Sequence, residues 1–232
     1  MKVNNNLIYV PFLGLAFQKE KDINVPYDVE YFEKLKGYEN TEIGRKLNDG
    51  RVKIVYESIF NHLDTPFCTL LDFGCGACTF LTRMKNSATT IKQLRNIRLF
   101  GYDINTYSRD ELDNLQIIYF NPFYDTNRDE LRFINIFTFF DTIEHLAEPW
   151  HIFDLIPDGA IVIVSIPIFK DISVDGIKSS KHYRPNEHFW YFTERGFKSF
   201  MAYHKLMCLG VYNYEIQAGR EDIYTFVFKK IN

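Results

Sequence analysis

The chain has 232 residues, 46% of them hydrophobic, 17% aromatic and 25% charged, a globular composition long enough for one domain with a substantial core. A formal net charge of −3 gives no basic footprint for a long nucleic-acid backbone, which speaks against nucleic acid as the partner. Four cysteines, Cys68, Cys75, Cys78 and Cys208, are too few and too clustered for a secreted disulfide framework.

The first apolar stretch, LIYVPFLGLAF (Leu7 to Phe17), follows Lys2 but is interrupted by Pro11 and Gly14. QKEKD follows it without a small-residue cleavage site, so it reads as a strand or cap segment rather than a signal peptide. It is too short to span a bilayer, and the cytoplasm is the expected compartment. From Tyr27 to Leu63 the chain is charged and periodic: Ile43, Leu47, Val52, Val55, Ile59 and Leu63 recur at helical spacing. Gly50 is expected to bend or break this run into one or two helices, and Pro66 to stop it. Residues 1–64 are thus an N-terminal helical cap and 65–232 the core.

From there short apolar runs alternate with helical segments. CTLLDF, IRLFGYDI, QIIYF, FINIFTFFDT and AIVIVSIPI read as five strands. CTFLTRMKNSATTIKQLRN is a helix with a loop, TYSRDELDNL a helix capped by Ser108 with Glu111 three residues on, and IEHLAEPWHIFDLI a further helix. Continuous apolar strands separated by helices imply a parallel sheet covered on both faces. The last segment, MCLGVYNYEIQAGREDIYTFVFKKI, offers two β-rich runs joined by AGRED, an antiparallel hairpin. The expected fold is α/β: a Rossmann-like doubly wound sheet, mostly parallel, with a C-terminal antiparallel hairpin.

In such a sheet ligands bind at the carboxyl ends of the strands, beside the first one. LLDFGCGACTFL (Leu70 to Leu81) stands there, with Asp72, Gly74, Cys75, Gly76 and Cys78 where the first strand turns into its helix. A dinucleotide turn needs a third glycine where this chain has Thr79. A C-x-x-C redox site belongs to a different, smaller fold, and a zinc site lacks a second ligand pair. Cys75 and Cys78 therefore read as small residues tucked into a turn.

LLDFGCGACTFL resembles motif I of the class I S-adenosylmethionine-dependent methyltransferases, in their small-molecule, type 11/12-like branch. The resemblance covers about residues 65–168. It implies that Asp72 holds the amino-acid end of S-adenosylmethionine, with the cofactor running over Gly74, Cys75 and Gly76. A carboxylate at the turn suits a ligand carrying a sulfonium and an ammonium, where it would repel a pyrophosphate. The departure is Cys78, where many members have a further glycine. FGYDIN is similar to the family's second acidic site: Asp103 would accept from both ribose hydroxyls, and Ile104 would flank the adenine. The gap from Asp72 to Asp103 exceeds the usual ~20 residues, a surplus that a loop about Asn86 to Thr90 would absorb. Asp141, in DTIEH, would line the cofactor pocket, and in NPFYD Asn121 or Asp125 would supply the adenine edge.

Two segments bear on the acceptor. Asp141, Glu144 and His145 are spaced D-x-x-E-H, and with His182 or His188 they could bind Mg²⁺ or Zn²⁺ and acidify a hydroxyl. The preferred reading is metal-free, with His145 a general base near neutral pH and Glu144 and His188 beside it. Residues 170–192 stand where the family builds its substrate lid, and Tyr183, Arg184, His188, Trp190 and Tyr191 are candidates to clamp a planar or anionic acceptor. For Trp190 and Phe192, packing onto the next helix, capped by Thr193, is the better reading. The expected function is methyl transfer by in-line displacement to a small-molecule O or N acceptor, by a monomer or homodimer with no membrane partner. Two alternatives stand beside it: a nucleobase or amino-group methyltransferase using the NPFY element (Asn121 to Tyr124), and a catalytically silent cofactor-binding protein of the same fold.

Overall fold

Strand β1 (Leu7–Val10) is the first element in a computed structural model that describes residues 6–20, 28–39, 41–65, 67–91, 94, 96–185 and 187–232. Pro66 lies outside the described residues. β1 turns through a short 3-10 segment and Gly14, at φ +70°, into β2 (Leu15–Gln18), so the apolar N-terminal stretch is a hairpin. Helix α1 (Val29–Glu39) precedes α2 (Glu42–His62), which starts where the Thr41 hydroxyl accepts from the Gly44 amide at 3.1 Å. α2 runs unbroken through Gly50. That glycine makes room: a Cβ there would lie 2.3 Å from the Tyr214 ring.

The core follows in the expected order: β3 (Cys68–Phe73), α3 (Thr79–Thr90), β4 (Ile97–Tyr102), α4 (Tyr107–Asn114), β5 (Ile118–Tyr119), α5 (Arg128–Leu131), β6 (Ile136–Phe140), α6 (Trp150–Phe153) and β7 (Ile161–Pro167). Then come α7 (Val174–Lys178), β8 (Trp190–Phe192), α8 (Glu194–Tyr203), β9 (Leu206–Tyr212), α9 (Tyr214–Gln217) and β10 (Ile223–Lys230). Seven strands form one sheet in the order β5-β4-β3-β6-β7-β10-β9, the first five parallel and the last two antiparallel. The doubly wound sheet with a terminal antiparallel pair is as expected.

Side-chain alternation builds a core on each face. Phe137, Phe139, Val162, Val164, Phe226 and Phe228 point into one cluster, while Ile136, Phe140, Ile161, Ile163 and Val227 point into the other. Burial on both faces explains why these strands read as unbroken apolar runs. β8 belongs elsewhere: it pairs with β2 in a second sheet, β1-β2-β8, so the start of the chain and the end of the expected lid form one unit. No described helix is long and apolar enough to cross a membrane.

Four local expectations need correcting. Asn86 to Thr90 are the end of α3, not a loop. IEHLAEPWHIFDLI is not one helix but a 3-10 turn over Ile143–His145 and the four-residue α6, because Pro149 removes an amide donor between them. Ser108 does not cap α4, which begins after Thr106; it lies inside the helix, and its hydroxyl donates to the Gly76 carbonyl at 2.7 Å. Tyr191, a candidate clamp, is buried with its hydroxyl accepting from Gln18 at 3.1 Å, whereas Trp190 packs on the next helix against Phe200 as expected, its indole Nε1 donating to the Leu146 carbonyl at 2.8 Å. Neither clamps a ligand.

Candidate cofactor and acceptor site

The strand order reverses beside β3, which pairs with β4 on one side and β6 on the other, and a cavity of about 710 Å³ opens at their carboxyl ends. The volume is in the range of small-molecule sites, roughly 300–1,000 Å³. Gly74, at φ +80°, leaves β3 with its amide donating to the Tyr102 carbonyl at 2.7 Å. A Cβ there would lie 2.5 Å from the Thr142 hydroxyl, so only glycine fits both the conformation and the space. Gly76, at φ +51°, donates its amide to Asp103 Oδ2 at 2.8 Å, and Asp103 Oδ1 accepts from the Asn105 amide at 2.8 Å. Burial raises the Asp103 carboxyl against these amide bonds, which favour its charged form. Asp72 is buried one strand away and accepts from the Thr138 hydroxyl at 2.6 Å.

Cys78 takes the left-handed conformation at φ +58° that the missing glycine would have supplied, and its carbonyl accepts the first amide bond of α3. Its thiol donates to Cys75 at 3.7 Å. That bond and burial raise the Cys75 thiol well above its ordinary value, and both cysteines are packed into the turn, as expected.

The 3-10 turn after β6 supplies another part of the wall. Glu144 is 1% exposed, and its Oε2 has no hydrogen-bond partner. Burial, then the nearby Asp141 charge, raise its carboxyl well above the usual range. His145 Nδ1 lies 3.0 Å from the Glu187 carbonyl. A carbonyl only accepts, so Nδ1 carries the hydrogen and Nε2 keeps its lone pair. The His188 ring meets the His145 ring edge to face, with centroids 4.7 Å apart. Burial, then His145 and Arg184, hold His188 down to about 3, and burial also lowers His145. Both imidazoles are neutral near pH 7.

Solved structures share this architecture. The CurJ carbon methyltransferase superposes with a TM-score of 0.59 at 12% identity over 88% of this chain, which spans only 59% of that protein. The 1,6-didemethyltoxoflavin-N1-methyltransferase of Burkholderia thailandensis, solved with its substrate and S-adenosylhomocysteine, gives 0.52 at 12% identity over 94% of this chain and 96% of that one. The chain has a methyltransferase fold. The [4+2]-cyclase SpnF also matches, at 0.52 and 11% identity over 78% of this chain and 80% of that one, so the methyltransferase fold does not by itself fix the reaction. No protein-family model matches the chain, and no curated protein does.

On this methyltransferase fold Asp72, Gly74, Cys75, Gly76, Asp103, Ile104, Asp141, Glu144, His145 and His188 all line the one cavity. Asn121 does not: its Oδ1 accepts from the Phe123 amide at 2.9 Å, closing its own turn, and Pro122, Phe123 and Tyr124 are also off the cavity wall, while the Asp125 side chain lies outside the described structure. The sequence reading missed the helical side of the wall, where α1 contributes Tyr31, Phe32 and Leu35. It also missed a buried ionic network. Arg220 grips Asp141 with two bonds of 2.8 Å and Glu215 at 2.6 Å, while Arg51 donates to Asp141 and Glu215, each at 3.1 Å. Burial alone would raise the Asp141 carboxyl, but Arg220 and Arg51 outweigh it and hold it well below the ordinary range. A buried arginine amid the apolar positions of α2 was the available signal, since such a charge is almost never left unpaired.

Proposed function

We propose that the protein is a cytoplasmic S-adenosylmethionine-dependent methyltransferase acting on a small-molecule acceptor at oxygen or nitrogen. One observation carries this reading: the glycine turn with its two acids and the Glu144–His145–His188 group face one cavity of suitable size. The cradle fits the cofactor. Gly74 leaves a space that a Cβ would fill, Asp72 and Asp103 put carboxylates on a ligand with an ammonium and a ribose diol, and no cationic side chain lies in the turn for a pyrophosphate.

When bound, S-adenosylmethionine supplies an electrophilic methyl group on a sulfonium. The residues' part is to position and exclude water. Asp103 holds the ribose end, the Gly74–Gly76 backbone lets the ligand approach closely, and α1 closes over the cavity through Tyr31, Phe32 and Leu35. His145 Nε2 presents its lone pair on the acceptor wall, with Glu144 and His188 beside it. Asp72, Asp103 and the Gly74–Gly76 backbone would hold the cofactor so that its methyl group meets the acceptor, the C–S electron pair remaining on sulfur, and the acceptor's proton would leave past Glu144, His145 and His188 to solvent.

Calorimetric titration with S-adenosylmethionine and S-adenosylhomocysteine, with NADH as control, tests the reading. Micromolar binding of the first two, at least tenfold weaker in Asp103→Ala, is the expected result. No binding to folded, cofactor-free protein would overturn it. The silent-binder reading rests on the fold alone, which a [4+2]-cyclase shares, and methyl transfer to any acceptor removes it. The amino-methyltransferase reading is disfavoured because NPFY stands off the cavity.

A further inference from the structure

We infer that Glu144, His145 and His188 together bind a divalent transition-metal ion, held at the acceptor end of the cavity with coordination positions open to the acceptor. Each offers one ligand atom, and the three atoms lie within 4.8 Å of one another. Metal bonds of about 2.0–2.2 Å to nitrogen and oxygen require them to draw in by about an ångström.

Four features favour an ion over three separate side chains. Glu144 Oε2 is buried without a partner, an arrangement that costs stability unless a cation or donor meets the carboxylate. His145 is held by its Nδ1 hydrogen on a backbone carbonyl, leaving Nε2 to coordinate. The His188 ring is likewise hydrogen-bonded to the His182 backbone. Backbone carbonyls that fix ring and tautomer are the usual outer support of metal-binding histidines. Finally, the two rings stand edge to face at 4.7 Å, where two neutral imidazoles gain little from each other.

Two imidazoles and one carboxylate suit ions such as Zn²⁺, Mn²⁺ or Fe²⁺ better than Mg²⁺ or Ca²⁺, and three protein ligands leave positions for a substrate oxygen. The residues named from the D-x-x-E-H spacing thus divide. Asp141 is taken by Arg220 and Arg51, and the next turn of chain, with His188, forms the ligand set. The ion's role rests on the methyl-transfer reading: it takes up the His145 lone pair, binds an acceptor hydroxyl and lowers its pKa, so the proton leaves to solvent without an imidazole base. The presence of the ion does not rest on that reading.

Mn²⁺ titration of chelator-treated protein, followed by electron paramagnetic resonance of the free ion, tests the inference. Mn²⁺ is the probe because its free ion gives the resonance signal that binding removes. One equivalent should bind the wild type, and Glu144→Gln and His188→Asn should each weaken it at least tenfold while still binding S-adenosylhomocysteine. His62→Asn, far from the cavity, should bind as the wild type does. Folded wild type that binds S-adenosylhomocysteine but no Mn²⁺ overturns the inference. So does Mn²⁺ binding unchanged in both variants. Mn²⁺ binding without S-adenosylhomocysteine binding would leave the ion and remove the methyl-transfer reading. A variant that unfolds is replaced by His145→Gln, judged by the same two titrations.

Discussion

Two buried groups of ionisable side chains stand next to one another in this cavity, and they are built in opposite ways. In the first, Arg51, Arg220, Asp141 and Glu215 share two positive and two negative charges, each carboxylate meeting both guanidiniums. In the second, Glu144, His145 and His188 bring one acid with an unpartnered oxygen against two neutral rings. Desolvation acts on both. In the first it is offset by partners within the fold. In the second it is left standing, and the pKa values move so that the groups lose charge. A compensated cluster ties α2, β6 and the β9–β10 connection together, whereas an uncompensated one raises the energy of the ligand-free state and is useful only if something else completes it.

The contrast can be broken at its strong end first. Glu215→Gln removes the buried carboxylate from the buried Arg51 and the partly buried Arg220, and breaking a buried pair in this way costs about 3–5 kcal/mol. Urea denaturation should show that loss, and a change below about 1 kcal/mol would place this cluster with surface ion pairs. Gly74→Ala is next, forcing a side chain into a left-handed conformation, about 1–2 kcal/mol, and against Thr142; it should lower both melting temperature and S-adenosylhomocysteine affinity.

The pH dependence sharpens the other end. His188 is near 6.5 when unfolded and held down to about 3 when folded. Between those values the unfolded chain takes a proton that the folded chain refuses, so stability falls as pH drops below about 6.5, by up to about 1.4 kcal/mol per pH unit for this one group. His188→Gln should flatten that slope by one proton in chelator-containing buffer, and an unchanged slope would mean His188 is charged in the fold. Asp141 adds to the same trend at lower pH: its depressed carboxyl stabilises the fold fully above about 3.9, and that contribution fades as acid protonates it. The smallest effect is expected off the cavity, where Asn121→Ala should change S-adenosylhomocysteine affinity less than twofold.

What was legible in the sequence was chemistry held in short stretches. Leu70 to Gly76 carries its strand, turn and acid within seven residues, and the resemblance of this stretch and of FGYDIN to the family's two acidic sites implied one pocket for Asp72 and Asp103, which line the same cavity. Partners remote in sequence were not legible. Arg51 and Glu215 are 164 residues apart, and nothing in either neighbourhood announces the other. Ser108 looked like a cap because its spacing to Glu111 fits one, but a tertiary bond to the Gly76 carbonyl claimed its hydroxyl. Gly50 looked like a helix breaker because its local propensity is poor, and the ring of Tyr214 packed into its missing side chain explains why α2 keeps it. Asn121 was chosen for its place after the third strand, and its own turn took the side chain.

The pairing of β2 with β8 also has a consequence in time. The Phe189 amide donates to the Glu144 carbonyl, and its own carbonyl accepts from the Gln18 amide, so the residue after His188 is strung between the 3-10 turn and the first hairpin. Gln18 and Tyr191 meet across 173 residues. During synthesis, the hairpin leaves the ribosome before β8 and stays without its third strand until the next 173 residues, to Tyr191, have followed Gln18. The seven-stranded sheet waits longer still, because β10 inserts between β7 and β9 and follows both in sequence. A nascent chain therefore carries a finished glycine turn well before it carries an acceptor wall, and this order makes late contacts of high sequence separation the slow step of maturation.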